Sequence, residues 1–313
     1  MKVYYNINDL PPIKNAIVSQ GTFDGVHLAH KKIIERLKQL AKQKNGETVL
    51  MTFEPHPRMV LFPSDHGLQL LSTLKEKIHL LEKTGIDHLL VIPFTKEFSR
   101  QSSEQFIRDI LVNKLHTHTL VIGYDHRFGK NREGSFEHLK EYSSLYGFEV
   151  EEIPEQDIDD IAVSSTKIRT ALLNDDIITA KKYLGTNYVL EGTVVKGQQL
   201  GRTIGYPTAN IEVDNTFKLI PTDGVYAVWV WHNNIKYGGM LNIGNNPTIE
   251  NKGRSIEVNI FNFAKEIYGE TITIEFALKL RNEEKFDGLE TLKNQLALDK
   301  ENTLKTLGLQ VTE

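Results

Sequence analysis

The first 185 residues alternate short apolar runs with stretches whose apolar positions recur at helical spacing. The runs 16–20, 48–53, 87–94, 119–124 and 148–153 read as strands, and 28–44, 73–84, 102–115 and 135–146 read as helices. This alternation predicts a parallel sheet covered by helices on both faces, a fold whose ligands sit at the carboxyl ends of the strands. Ser102 and Gln105 have the spacing of a capping box. A further helical patch, 166–184, stops at Gly185. Beyond it come consecutive strands rich in Val, Ile, Thr, Tyr and Phe, at 188–196, 225–231, 235–243, 255–263 and 271–279. Strands with no helices between them predict an antiparallel barrel or sandwich. Leu289, Leu292, Leu296, Leu304 and Leu307 then predict a C-terminal helix docked on it, with Asp287 and Glu290 as its capping pair. The expected domains are 1–185 and 186–313.

Composition narrows the class. A length of 313 residues suits two domains, and a 40% hydrophobic content supplies two cores. The net charge is −4, and no run of Lys and Arg forms a nucleic-acid footprint; Lys31-Lys32 and Lys181-Lys182 read as solvated helix faces. The absence of cysteine excludes disulfides, thiolate metal sites and cysteine nucleophiles. No apolar stretch approaches the ~20 residues of a membrane span. A cytoplasmic enzyme with neither nucleic-acid nor membrane partners is expected, its oligomeric state left open.

The chemistry concentrates at Gly21-Thr22-Phe23-Asp24-Gly25-Val26-His27-Leu28-Ala29-His30, directly after the first strand. A glycine-punctuated turn entering a helix offers backbone N–H groups and a positive dipole end to a phosphate. His27 and His30, three apart, share a helix face and reach the same polyphosphate. Three more segments follow strands or open a helix: the stiff Phe53-Glu54-Pro55-His56-Pro57, the loop of Asp125 and Arg127, and Ser164-Ser165-Thr166-Lys167-Ile168-Arg169. Hydroxyls and two cations at a helix start suit a pyrophosphate.

A second constellation lies in the strand-rich half. Gly197, Gly201 and Gly205 allow close backbone approach to a ligand, and Arg202 and Thr203 add phosphate donors. Thr208 and Asn210, two apart, share a face if extended, and their oxygens suit Mg²⁺ that also rides on ATP phosphates. Glu257 sits on a strand otherwise apolar or amide-bearing, and alternation alone does not fix which face it takes.

The first set resembles the nucleotidyltransferases of the His-x-Gly-His signature, with Ala29 at the glycine position. Together the sets resemble the bacterial bifunctional riboflavin kinase/FMN adenylyltransferase family, over roughly residues 16–286. The resemblance implies a Rossmann-like α/β domain followed by an antiparallel β-barrel with a C-terminal helix. It also implies riboflavin, FMN and ATP as substrates. His27 and His30 would contact ATP phosphates, with Ser164, Ser165, Thr166 and Arg169 closing over them and Asp125 near nucleotide or flavin. It further implies Mg²⁺ at Thr208 and Asn210, Glu257 as general base, and flavin near Arg281 and Phe286. Asn259 and Asn262 stand where many relatives carry His and Asp. A kinase with weakened adenylyl transfer, or a flavin-binding regulator, is the alternative on the same fold.

Overall fold

The computed structural model describes residues 1–64, 67–123, 128–130, 133–153, 163–197, 199–245 and 254–310. They form two compact units, 1–68 with 77–164, and 69–76 with 165–313.

The first unit is built on strands β1 (Lys2–Tyr4), β2 (Ala16–Gln20), β3 (Thr48–Glu54), β4 (His88–Pro93), β5 (Thr117–Gly123) and β6 (Glu149–Ile153), in the order β1-β4-β3-β2-β5-β6. Every ladder in this sheet is parallel. All five residues of β2 are buried, as expected of a central parallel strand covered on both faces. Ala16, Val18, Val49, Met51, Leu90 and Leu120 belong to one core cluster with Phe106 and Leu139. Helices α1 (Leu28–Lys44), α2 (Pro57–Leu61), α3 (Leu74–Glu82), α4 (Ser103–Phe106) and α5 (Phe136–Tyr146) follow the strands in chain order. The Ser102/Gln105 capping box forms, but the helix it starts gives one α turn and passes into a π-helical stretch at Ile107–Val112. The edge strand β1 escaped the sequence reading because three residues are too few to show a period.

The second unit contains a closed barrel of β7 (Tyr188–Val195), β8 (Ala209–Glu212), β9 (Gly224–His232), β10 (Ile235–Asn245), β11 (Arg254–Ile260) and β12 (Thr271–Arg281). Their order is β10-β11-β8-β7-β12-β9, and every ladder is antiparallel. The barrel alternative is therefore the realised one. β7 alternates buried and half-buried residues along its whole length, placing Tyr188, Leu190 and Val194 inward.

The patch read as one helix over 166–184 is two, α6 (Ser165–Leu173) and α7 (Ile177–Leu184). Asp175 takes a left-handed φ of 66° and Asp176 caps α7 by accepting from the Thr179 N–H at 2.8 Å. That break was legible, since Asn-Asp-Asp favours turns and caps over helix interior. Asp175 also pairs with Lys279 of β12 at 2.8 Å.

The short helix α8 (Leu200–Thr203) lies in the glycine segment, and α9 (Leu289–Leu307) closes the chain. Leu304 packs with Met240 and Phe261, and Leu296 joins them. Leu289 is 65% exposed and does not dock. The Asp287/Glu290 capping pair does not form either: Gly288 holds the cap position and no side chain bonds to the helix start.

An ion pair is sealed in this unit. The Lys218 ammonium donates to Glu76 Oε2 at 2.6 Å and to the carbonyls of Leu71 and Val189, with both charged side chains at most 1% exposed. The other Glu76 oxygen accepts from the Glu191 N–H at 2.8 Å. These bonds tie segment 69–76 to the barrel.

Candidate functional sites

The glycine turn of the first unit is tightly wound. Phe23, Gly25 and Val26 all take left-handed φ values of 47°, 78° and 44°. Only the glycine does so without a steric penalty, so the turn holds Phe23 and Val26 in conformations costing on the order of 1–3 kcal/mol each. Burial of both side chains, at 1% and 2% exposure, offsets that cost. The turn delivers the chain into α1 at His27, which is extended and whose side chain makes no cap bond. The first N–H groups of α1 thus have no side-chain cap, an arrangement suited to an anion.

The two imidazoles stack with ring centroids 3.6 Å apart, and Phe23 packs on His30 at 5.0 Å. Burial, then His27 and Lys77, holds the His30 pKa well below its ordinary 6.5, so the ring is neutral at pH 7. His30 Nδ1 is buried with no hydrogen-bond partner among the described residues. A neutral imidazole carries one N–H donor and one acceptor nitrogen. Asp24 is 1% exposed, and Gly21 precedes it with its α-carbon facing the Phe23 ring. Glu54 ends β3, its pKa raised by burial and drawn back by Lys77. In the same loop, His56 caps α2 by accepting from the Arg58 N–H, and Pro57 takes the first helical position. Lys31 is half-buried with its pKa lowered by burial, so it is not the solvated helix residue its sequence suggests.

Asp125 and Arg127 lie outside the described residues. Ser164 belongs to the first unit, whereas Ser165, Thr166, Lys167 and Arg169 open α6 in the second. Thr166 and Lys167 are exposed, and Arg169 Nε donates to the Gln69 carbonyl.

On the barrel, register decides what alternation left open. Ile256 and Val258 point inward at 4% and 0% exposure, which puts Glu257 on the outer face. Glu257 lies opposite Asn210 on one side and Asn242 on the other. Directly paired residues share a face, and Thr208 Oγ1 donates to Glu257 Oε2 at 3.1 Å. Thr208, Asn210 and Glu257 therefore form one oxygen-rich cluster. Asn259 Nδ2 donates to the Pro207 carbonyl at 2.6 Å and fixes the turn that presents Thr208. Gly197 leaves room for the Asn210 carboxamide: a β-carbon on it would stand 2.1 Å from Asn210 Nδ2, so the side chain would have to move.

A cavity of about 300 Å³ adjoins this cluster, with Arg202 and Thr208 on one side and Val194, Val258, Phe263 and Tyr268 on another. Gly201 and Thr203 flank Arg202 in α8. The wall contributed by 263–268 escaped sequence reading because that loop carries no motif. Arg281 ends β12, bonding Asp299 of α9 through Nε at 3.0 Å and its terminal nitrogen at 2.8 Å. Its guanidinium lies 5.6 Å from the Phe286 ring centroid. Asp299, 1% exposed, was also missed, since one acid on an amphipathic helix reads as solvated.

Residues 11–167 match the FAD synthetase family and residues 184–307 match the riboflavin kinase family. Bifunctional riboflavin kinase/FMN adenylyltransferases are similar over almost the whole chain. That of Haemophilus influenzae is 39% identical over 293 residues, covering 92% of this chain and 93% of its own. That of Bacillus subtilis is 38% identical over 297 residues, covering 93% and 92%. A crystal structure described as a macrolide-efflux protein from Streptococcus pneumoniae superposes with a TM-score of 0.84 at 31% identity, over 96% of this chain and 98% of that one. Among the described residues of this chain no helix is long and apolar enough to cross a membrane. With a histidine turn on the parallel sheet and an oxygen cluster on the barrel, each within its own family match, the chain belongs to the bifunctional riboflavin kinase/FMN adenylyltransferase family.

Proposed function

We propose that the chain phosphorylates riboflavin to FMN on the barrel and joins FMN to AMP at the histidine turn, consuming one ATP in each step. The reading rests on one contrast: the barrel offers a carboxylate bonded to a hydroxyl, whereas the turn offers two stacked imidazoles at a helix start with no side-chain cap.

The two reactions need those different groups. Riboflavin attacks the γ-phosphorus of ATP through a neutral ribityl hydroxyl, whose proton passes to Glu257 as the O–P bond forms and ADP leaves. Thr208 orients that carboxylate. The cavity beside the cluster suits an adenine against its apolar wall, with Gly197, Gly201, Arg202 and Thr203 along the phosphates. Hard oxygens of Thr208 and Asn210 fit Mg²⁺. When bound, Mg²⁺ neutralises charge on the β- and γ-phosphate oxygens. Arg281, its donors held by Asp299, supports Phe286 beside the flavin.

FMN, by contrast, attacks the α-phosphorus of ATP through an oxygen already anionic at neutral pH, and pyrophosphate leaves. No base is required, only positioning and donors toward the developing charge. His27, His30 and the turn of Gly21, Phe23, Asp24 and Gly25 provide these. Ser164, with Asp125 and Arg127, completes the nucleotide site. The division of labour stays at 1–185 and 186–313, although α6 and α7 fold with the barrel. A cytoplasmic location accompanies this reading.

Incubation with riboflavin, ATP and Mg²⁺, followed by chromatographic separation of flavins, tests it. FMN and FAD should both accumulate. FMN alone would remove the assignment of the histidine turn, and neither product would remove both.

A further inference from the structure

The histidine turn contains a buried cation that neither its motif nor the proposed chemistry uses. Lys77, on α3, is 3% exposed. Its ammonium lies 3.5 Å from Thr52 Oγ1, at the limit of a hydrogen bond. Thr52 Oγ1 in turn donates to the carbonyl of Thr22, inside the glycine turn, at 3.1 Å. This relay places the lysine head at the carboxyl end of β3, against the loop that leads into His27 and His30.

Burial lowers the Lys77 pKa, and the facing carboxylates Asp24 and Glu54 draw it back up, while His30 feels the ammonium as a like charge. Asp24 is as deeply buried as the lysine, at 1% exposure. Without Lys77 this edge of the sheet would present two carboxylates to an incoming polyphosphate, beside the neutral ring of His30. Repulsion between like charges in a partly desolvated site is far stronger than in water. A buried ion pair is also a poor device for stability, because apolar residues of similar volume commonly serve as well.

We propose that Lys77 is the positioning residue that balances charge in the adenylyl-transfer pocket: its ammonium, held at Thr52 against the glycine turn, offsets Asp24 and Glu54 so that the triphosphate of ATP can enter. The inference rests on the reading of the histidine turn given above. Lys77 acts through its neighbours and needs no contact with the reacting atoms. Its effect falls on ATP binding, while alignment of the α-phosphorus stays with the histidines.

The test uses the full chain with Lys77→Met, which keeps the apolar stem and removes the charge, and the double variant Glu54→Gln/Lys77→Met, which removes charge from both sides. FAD formation from FMN and ATP is measured for each, with circular dichroism and the urea midpoint of the sheet unit as the check on folding. Lys77→Met should raise KM for ATP about tenfold or more, with kcat changed less than about threefold. The acid limb of kcat/KM should move to higher pH, because His30 loses a like-charged neighbour. The double variant should recover most of the lost ATP affinity. A KM for ATP within about twofold of the parent in Lys77→Met overturns the proposal, as does a loss that Glu54→Gln leaves unrelieved. Should Lys77→Met misfold, Lys77→Gln takes its place under the same criteria. A parent chain that makes FMN but no FAD overturns the reading of the turn itself, and this inference with it.

Discussion

Single side chains in this protein do work that their residue type does not announce. His30 illustrates it. Burial holds its pKa below the ordinary 6.5, so at pH between the folded and unfolded values the unfolded chain binds a proton that the folded chain does not. The stability this gives is complete above about pH 6.5 and is lost as pH falls below it. Urea midpoints of the sheet unit should therefore fall from about pH 7.5 to about pH 5.5, and His30→Gln should flatten part of that slope. Lys218 makes the complementary case. Its buried ammonium donates to Glu76 and to two carbonyls. Lys218→Met should destabilise the barrel unit by about 3–5 kcal/mol in denaturant titration, because it strands a buried carboxylate. Adding Glu76→Gln should return a substantial part of that loss.

At the scale of elements, the barrel strands bring chemistry together by register. β8 supplies Asn210, β11 supplies Glu257, and the loop before β8 supplies Thr208. The glycine segment completes the arrangement by leaving room for the Asn210 carboxamide. Gly197→Ala should cut riboflavin phosphorylation about tenfold or more while FMN adenylylation persists, since a methyl group cannot share that space without displacing the carboxamide. The C-terminal helix reaches the same unit through Asp299. Its two oxygens hold the Arg281 fork, and Arg281 lies over Phe286. Asp299→Asn weakens this grip without changing size. It should raise KM for riboflavin more than KM for ATP, a split visible in steady-state kinetics of the kinase step.

For the whole molecule, two sites of different chemistry on separately packed units should fail independently. Asn210→Ala or Glu257→Ala should abolish FMN formation and spare conversion of supplied FMN to FAD, and His30→Ala should do the reverse, each read by flavin chromatography. Loss of both products from either change in a folded chain would break the assignment. Much of this layout was visible in order along the chain. Strands of a parallel sheet, the consecutive strands of a barrel or sandwich, the capping box at Ser102, the helix stop at Gly185 and the two histidines on one helix face all follow from spacing over a few residues. Periodicity and turn chemistry are local, and a linear sequence carries them in full. Folding alone determined that Glu257 faces outward beside Asn210, that Lys77 lies under the glycine turn, that Lys218 pairs with Glu76, and that Asp299 grips Arg281. Each joins positions far apart in the chain, and burial makes such a charge depend on the partner that folding brings to it.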